Sequence, residues 1–214
     1  MANTSRVNGF RPVRHATGAP YNGQCNIYEV AVGNSIPIYI GDMVIRDPTN
    51  ASTSGLQTVV SISSHASNAN DVASGVIVGA VVGVVNAKLD PVEGKMTTGS
   101  IALDTPQSVP ISTKTYVLVA DDIGLVFEAQ STAIATMALV GMNADISTLA
   151  VAGNQGTTGQ SGMYVAGTTM DATATRPLTF LGFSRRVDNE FAAANNKVLV
   201  RITTHFAGNA IAGI

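Results

Sequence analysis

PLTFLGFSRRVDNEFAAANNKVLVRITTHF, Pro177 to Phe206, reads as two strands joined by one polar excursion. In its second half Val198, Val200, Ile202, Thr204 and Phe206 fall on one side of a period-two pattern. Leu199, Arg201, Thr203 and His205 fall on the other, so one face wants a core and the other tolerates water. In its first half Leu178, Phe180, Leu181 and Phe183 are too apolar on both sides for an edge strand, which places them in the middle of a sheet or between two layers. Between the halves, Arg185-Arg186-Val187-Asp188-Asn189-Glu190 carries both signs of charge in a chain with few charges elsewhere. That loop is expected to meet something polar.

Composition points the same way. Hydrophobic residues make up 45% of the 214 and charged residues 12%, about half the ~25% usual in a soluble domain. A surface so poor in charge is expected to be covered by another molecule. Tryptophan is absent, aromatics are 5%, and Val, Ile and Ala dominate beside 21 glycines, the profile of short strands punctuated by turns. The fold class expected is all-β: a sandwich, jelly-roll-like or barrel domain over residues 26–214, preceded by an extended N-terminal arm over residues 1–25.

The arm holds Arg6, Arg11 and Arg14 with no acid before Glu29, and Gly9, Pro12, Gly18 and Pro20 forbid a helix. Phe10, Val13 and Tyr21 are apolar anchors that a disordered tail would not need. The arm is therefore expected to dock on a neighbouring subunit, away from its own core. Ile27 to Val32 and Ile36 to Ile40 read as a hairpin around Gly33-Asn34-Ser35. Tyr116 to Ala120 and Leu125 to Gln130 read as a second hairpin, around Asp121-Asp122-Ile123-Gly124. Thr58 to Ser63 alternates as a strand, and polar loops follow at His65 to Ser74 and Asn86 to Gly99. Gly75 to Val85 is apolar on both faces and β-branched, a buried, bent central strand. Ile101 to Leu103 and Val109 to Ile111 are edge-like pieces, Pro37 and Pro110 mark open edges, Ala133 to Val140 fits strand or helix, and Gly153 to Gly162 is a glycine-rich loop.

Several chemistries lack their residues. A net charge of −2 and a pI near 5.8 argue against direct nucleic-acid binding, which needs a clustered positive excess. The apolar run of about eleven residues is short of the about 20 that a membrane helix needs, and the N-terminus has no apolar h-region, so a soluble chain made in a cytoplasm is expected. Cys25 has no second thiol for a disulfide or a zinc site. Gly156 and Gly159 are not followed by Gly-Lys-Ser/Thr, and Ser161 lacks the glycine spacing of a nucleophile elbow. His15, His65 and His205 stand apart in sequence. Asp121-Asp122 reads as a turn before it reads as a calcium site, and Asp188 with Glu190 gives no controlled carboxylate separation. No catalytic residue, cofactor or metal is expected, and the chain does not read as an enzyme.

The two ends carry a resemblance. Arg6-Val7-Asn8-Gly9-Phe10-Arg11-Pro12-Val13 with Thr17-Gly18-Ala19-Pro20-Tyr21-Asn22-Gly23-Gln24, and Pro177-Leu178, Leu181-Gly182, Asp188-Asn189-Glu190, Ala194-Asn195 and Lys197 to Ile202, resemble the termini of a family of virion structural proteins of tailed bacteriophages. The match covers about a third of the chain; the middle agrees only at Ile40-Gly41-Asp42 and the glycine-valine run Gly79 to Val85. The resemblance implies a head decoration, or cement, protein that sits on the capsid outer surface and bridges major capsid protein subunits. Its partners would be the major capsid protein and copies of itself, as a dimer or trimer, with no direct nucleic acid and no membrane. The residues expected at such an interface are Arg6, Phe10, Arg11, Val13, Arg14 and Tyr21 of the arm and Arg185, Arg186, Asp188 and Glu190 of the loop. The alternative is a virion-surface adhesion or carbohydrate-binding module, for which exposed aromatics that stack on sugar would be expected, and the chain has no tryptophan.

Overall fold

Val, Ile and Thr at alternate positions favour extended backbone that presents one face to a core, and the computed structural model is built from such strands. It describes residues 3–47, 49–50, 52, 54–62, 76–85, 87–89, 96–98, 107–148, 158–191 and 193–208. In chain order the strands are β1 (Arg11–His15), β2 (Asn26–Val30), β3 (Ile38–Tyr39), β4 (Met43–Arg46), β5 (Val59–Ser61), β6 (Ile77–Val85), β7 (Ala87–Leu89), β8 (Met96–Thr98), β9 (Ser108–Val109), β10 (Thr115–Ala120), β11 (Leu125–Gln130), β12 (Asn143–Thr148), β13 (Met163–Asp171), β14 (Leu178–Phe183) and β15 (Lys197–Ile202). A six-stranded antiparallel sheet runs β1-β11-β15-β14-β12-β13, and a five-stranded antiparallel sheet runs β2-β10-β6-β4-β5. The all-β expectation holds, and the architecture is a β-sandwich.

The core between the sheets follows the strand alternation. Leu125, Phe127 and Ala129 of β11, Leu178 and Phe180 of β14, and Val198, Val200 and Ile202 of β15 meet Met43, Ile45, Ile77 and Ala80 of the other sheet. Each fully buried side chain of the Leu, Ile or Phe class contributes about 1.5–3 kcal/mol. β14 and β15 pair as the opening stretch suggested, with β14 inside the sheet.

A second cluster occupies the opposite face of the five-stranded sheet and draws on all five of its strands: Tyr28, Val44, Val59, Val78 and Val117 are among its members. The sheet curls until its edges meet, where Glu29 bridges Thr58 and the Glu29 N–H donates to the Gln57 carbonyl at 3.0 Å. β6 runs through the middle with two bulges. Residue 78 is skipped in its register with β4 and residue 82 in its register with β10. Each extra residue flips the alternation, and because a core cluster lies on each side of the sheet, Ile77 and Ala80 enter one and Val78, Val81 and Val84 the other, which makes the strand apolar on both faces. At Gly79 a Cβ would overlap the Ala120 carbonyl oxygen, so only glycine fits.

Several expectations change. Neither expected hairpin forms: β2 pairs with β10 while β3 pairs with β9, and β10 and β11 belong to different sheets. A short polar turn serves equally well to pair a strand back or to arch it across to the facing sheet, and packing decides between the two. The alternation in the last strand stops at Ile202. The chain then crosses to the other sheet, where His205 bridges Ile77, and His205 is buried, not exposed. Met137–Leu139 is a 3-10 turn, and β12 was not foreseen. Pro37 precedes β3 and Pro110 follows β9, flanking a paired ladder. The loop expected over Asn86 to Gly99 instead holds β7 and β8, which pair antiparallel, while the polar loop at His65, Ile101 to Leu103 and half of the glycine-rich loop lie outside the described residues.

The largest correction concerns the arm. It was expected to leave its own core, but β1 is an edge strand of the six-stranded sheet and Phe10 is 1% exposed in the inter-sheet core. An aromatic ring can offset the ordering entropy of an extended segment only where it is buried, and here its own chain supplies that burial.

Candidate partner-binding groove

The arm is positioned by three local features. Phe10 points inward, and its N–H donates to the Gly41 carbonyl at 2.8 Å. Gly9, with φ +71°, crosses the 40–42 segment so closely that a Cβ would overlap Gly41 O and press on Ser161. A bulge at Val13 then separates Pro12, opposite Phe127, from Arg14, opposite Val126. Because of that extra residue, Arg11 and Arg14 both point outward although they are three apart. The chain turns at Gly18 and returns along β1, with Tyr21 N–H donating to Val13 O at 3.2 Å.

The loop from Ser184 to Lys197 is held by one buried side chain. Asn189 donates through Nδ2 to Ser184 O and to Lys197 O, both at 2.8 Å, and accepts the Lys197 N–H through Oδ1 at 2.7 Å. The two chain ends are then stitched together. Asn3 Nδ2 donates to Glu190 O at 2.9 Å and its Oδ1 accepts the Glu190 N–H at 2.7 Å. Lys197 Nζ donates to Arg6 O at 2.6 Å, and the Arg6 N–H donates to Gln130 Oε1 at 2.7 Å.

Between these walls lies a groove of about 1190 Å³. Seven of the ten residues expected at an interface line it: Arg6, Phe10, Arg11, Tyr21, Arg186, Asp188 and Glu190. Val13, Arg14 and Arg185 do not. Arg186 spans the loop side, with Nη1 at 3.3 Å from Glu128 Oε1 and Nε at 3.0 Å from Asp188 Oδ1. Hydrogen bonding to Arg186 holds Asp188 below the usual carboxylate range, and the same bond raises the guanidinium. Burial pushes Lys197 down. Beneath the arm, Asp42 is 3% exposed, and burial pushes its carboxyl up to about 6 against hydrogen bonds from Ser161 and the Tyr39 N–H.

Sequence reasoning missed Asn3, Gln130, Asn189 and Lys197 as groove builders. Asn189 and Lys197 lie inside the C-terminal stretch that carries the resemblance, which was the available signal; Asn3 and Gln130 had none. The remaining candidates resolve as structure. Asp121 accepts the Tyr28 hydroxyl at 2.6 Å and Asn26 Nδ2 at 2.9 Å, and Gly124 N–H closes on Asp122 at 2.6 Å, so this acidic pair caps a crossover between sheets. His15 lies 3.9 Å from Asp122, and buried His205 accepts the Ala207 N–H through Nδ1 at 3.1 Å. Ser161 Oγ accepts the Met163 N–H at 2.9 Å. Burial raises the Cys25 thiol above its usual range. Compared with known proteins, the chain matches no family description, no curated protein and no solved structure.

Proposed function

We propose that this chain is a structural protein of a tailed-bacteriophage virion, a cement protein on the capsid outer surface that bridges major capsid protein subunits as a dimer or trimer. The reading assigns it no catalytic step, no cofactor, and no direct contact with nucleic acid or membrane. It is made in the host bacterial cytoplasm and joins the shell there.

The observation that carries the reading is the convergence of the two resembling ends. Segments more than 180 residues apart in sequence are bonded to each other at Asn3–Glu190 and Arg6–Lys197 and form one groove. A likeness confined to two separate ends acquires a common purpose when the ends form one surface. A decoration protein acts by adding buried area across joints between shell subunits, and a charge-poor sandwich with a polar-rimmed groove suits that task. Exposed Val187 and Phe191 beside the groove are apolar groups for a partner to cover.

The test is location and copy number. Purified virions should contain this protein at a copy number comparable to the major shell protein, and cryo-electron microscopy should show it outside the shell. Density confined to the tail, or a few copies per particle, would overturn the reading. Light scattering on the isolated protein should show a dimer or trimer.

A further inference from the structure

The β1-β11-β15 part of the six-stranded sheet's outward face is basic in a chain that is not, whereas across β14 the face carries Asp145 and Asp171, paired with Arg176. β15 sends Val198, Val200 and Ile202 into the core, so Lys197, Leu199 and Arg201 point away from it. β11 sends Leu125, Phe127 and Ala129 inward, so Val126, Glu128 and Gln130 point away. The register places Arg14, Val126 and Arg201 in one row across three strands, and Arg11, Glu128 and Leu199 in a second. Cross-strand neighbours project from the same side of a sheet. Val126 faces outward yet is fully buried between the two arginines of its row, as expected where long aliphatic stems lie over an apolar neighbour and keep their charge in water. Arg186 reaches Glu128, and the backbone of Arg6 is bonded to the Gln130 and Lys197 side chains, so both residues flank the same face.

Six of the chain's 12 lysines and arginines therefore stand on this part of the face and its flanks, with Glu128, Asp188 and Glu190 as the carboxylates among them. That is a local excess of three positive charges in a protein whose net charge is −2. Five of the six are arginines, whose planar fork suits paired carboxylate oxygens.

We infer that this face, Arg11, Arg14 and Arg201 at its centre, is the docking surface, and that it takes an acidic protein surface. The inference deepens the virion reading and rests on it for the identity of the partner. Carboxylate partners are favoured over phosphate by the negative remainder of the chain, which opposes wrapping by nucleic acid. Electrostatic docking of this kind governs association rate and salt dependence.

The experiment uses the full chain and three probes: capsid shells lacking this protein, poly-L-glutamate, and a duplex DNA of matched charge. Reversing two charges, Arg14→Glu with Arg201→Glu, should weaken binding to shells and to poly-L-glutamate by about tenfold or more at low salt. The gap should narrow as salt shortens the screening length toward about 3 Å at 1 M. Arg46→Glu, on the exposed end of β4 in the other sheet, should change neither. Melting curves come first, and if the double reversal does not fold, Arg14→Gln with Arg201→Gln replaces it. Shell binding untouched by the reversals overturns this inference and leaves the virion reading standing. Absent shell binding with face-dependent capture of poly-L-glutamate overturns the virion reading and supports the acidic partner. Tighter binding to DNA than to poly-L-glutamate overturns the inference.

Discussion

Residues 3–21 and residues 184–197 face each other across one groove, but the first wall is part of the core and the second is a loop drawn over it. The arm carries Phe10 into the inter-sheet packing, passes a glycine at contact distance from Gly41, and pairs along β11. The loop carries Val187 to full exposure and Phe191 to 55% exposure, and is gathered by the amide of Asn189. Both look alike in sequence in being largely polar with a few apolar residues interspersed. What separates them is whether an apolar side chain finds the core. A surface with one wall fixed by the fold and one held by a few hydrogen bonds presents a rigid reference edge and an adjustable one.

The most direct way to break this comparison is Phe10→Ala against Val187→Ala. Removing a buried phenyl ring costs about 3–5 kcal/mol, so Phe10→Ala should lower the denaturation midpoint sharply, while Val187→Ala should leave it within error. Deleting residues 1–24 should destabilise the fold further, since β1 leaves with Phe10. Equal effects at the two positions in a denaturant titration would show that the arm is not core.

Asp42 ties the arm wall to pH. Its carboxyl is raised from 3.8 to about 6 by burial, so the folded state holds a proton that the unfolded chain releases at lower pH. The stability this contributes is complete below about pH 4 and is lost as pH rises through about 6. The Asp42→Asn variant keeps an acceptor for the Tyr39 N–H, which donates at 2.9 Å, and has no charge to bury. It should be more stable than the parent above pH 6, by up to about 3 kcal/mol, and equal to it near pH 4. Urea titrations at pH 4, 6 and 8 measure the difference. A gap that does not change with pH would remove Asp42 as its source.

On the loop wall, Asn189→Ala removes three hydrogen bonds and strands buried backbone groups at Ser184 and Lys197. An unsatisfied buried group costs about 1–3 kcal/mol, but a loop relaxes to let water in, so the loss should fall at the low end. Amide exchange should rise over residues 184–197 and stay unchanged over β1, which separates the walls directly. Faster exchange along β1 as well would mean that the two walls move together.

The fold class was legible because burial on one face imposes period two, and β14 and β15 show it plainly. Connectivity was not. Gly33-Asn34-Ser35 and Asp121 to Gly124 specify that the chain turns, while the choice between pairing back and crossing to the other sheet rests on contacts distant in sequence. The bulge at Val13 hid the arm's inner and outer faces, and those at residues 78 and 82 hid the two faces of β6. Asn3 and Gln130 of the groove were not visible, and seven of its residues were, in the arginines and apolar anchors of the arm and in the charged loop. Their meeting was not, because it depends on β1, β11, β15 and β14 lying side by side. β12, Asn143 to Thr148, alternates, with Ala144 and Ile146 turned into the core, but Asn, Ala and Asp are poor strand formers and masked the signal.

The smallest effect expected on the fold is that of Arg186→Ala, and it sharpens the comparison most. The Arg186 side chain is 44% exposed, and its guanidinium pairs with Glu128 at 3.3 Å and with Asp188 at 3.0 Å. Ion pairs this exposed are screened by water and weakened by the entropy of holding long side chains. After truncation Asp188 returns to solvent, and Glu128 keeps the Ser184 hydroxyl as a donor. The melting midpoint should therefore fall by no more than about 3 °C. The Arg186 bond depresses Asp188, so whatever stability it adds is present above the usual carboxylate range and is lost as pH falls through the depressed value. Parent and variant should then converge in acid. Association with a partner is the contrasting measurement: losing one cation from the basic face should slow the on-rate at low salt and flatten its salt dependence. A large fall in melting temperature with unchanged association kinetics would mean that the loop is a structural wall like the arm.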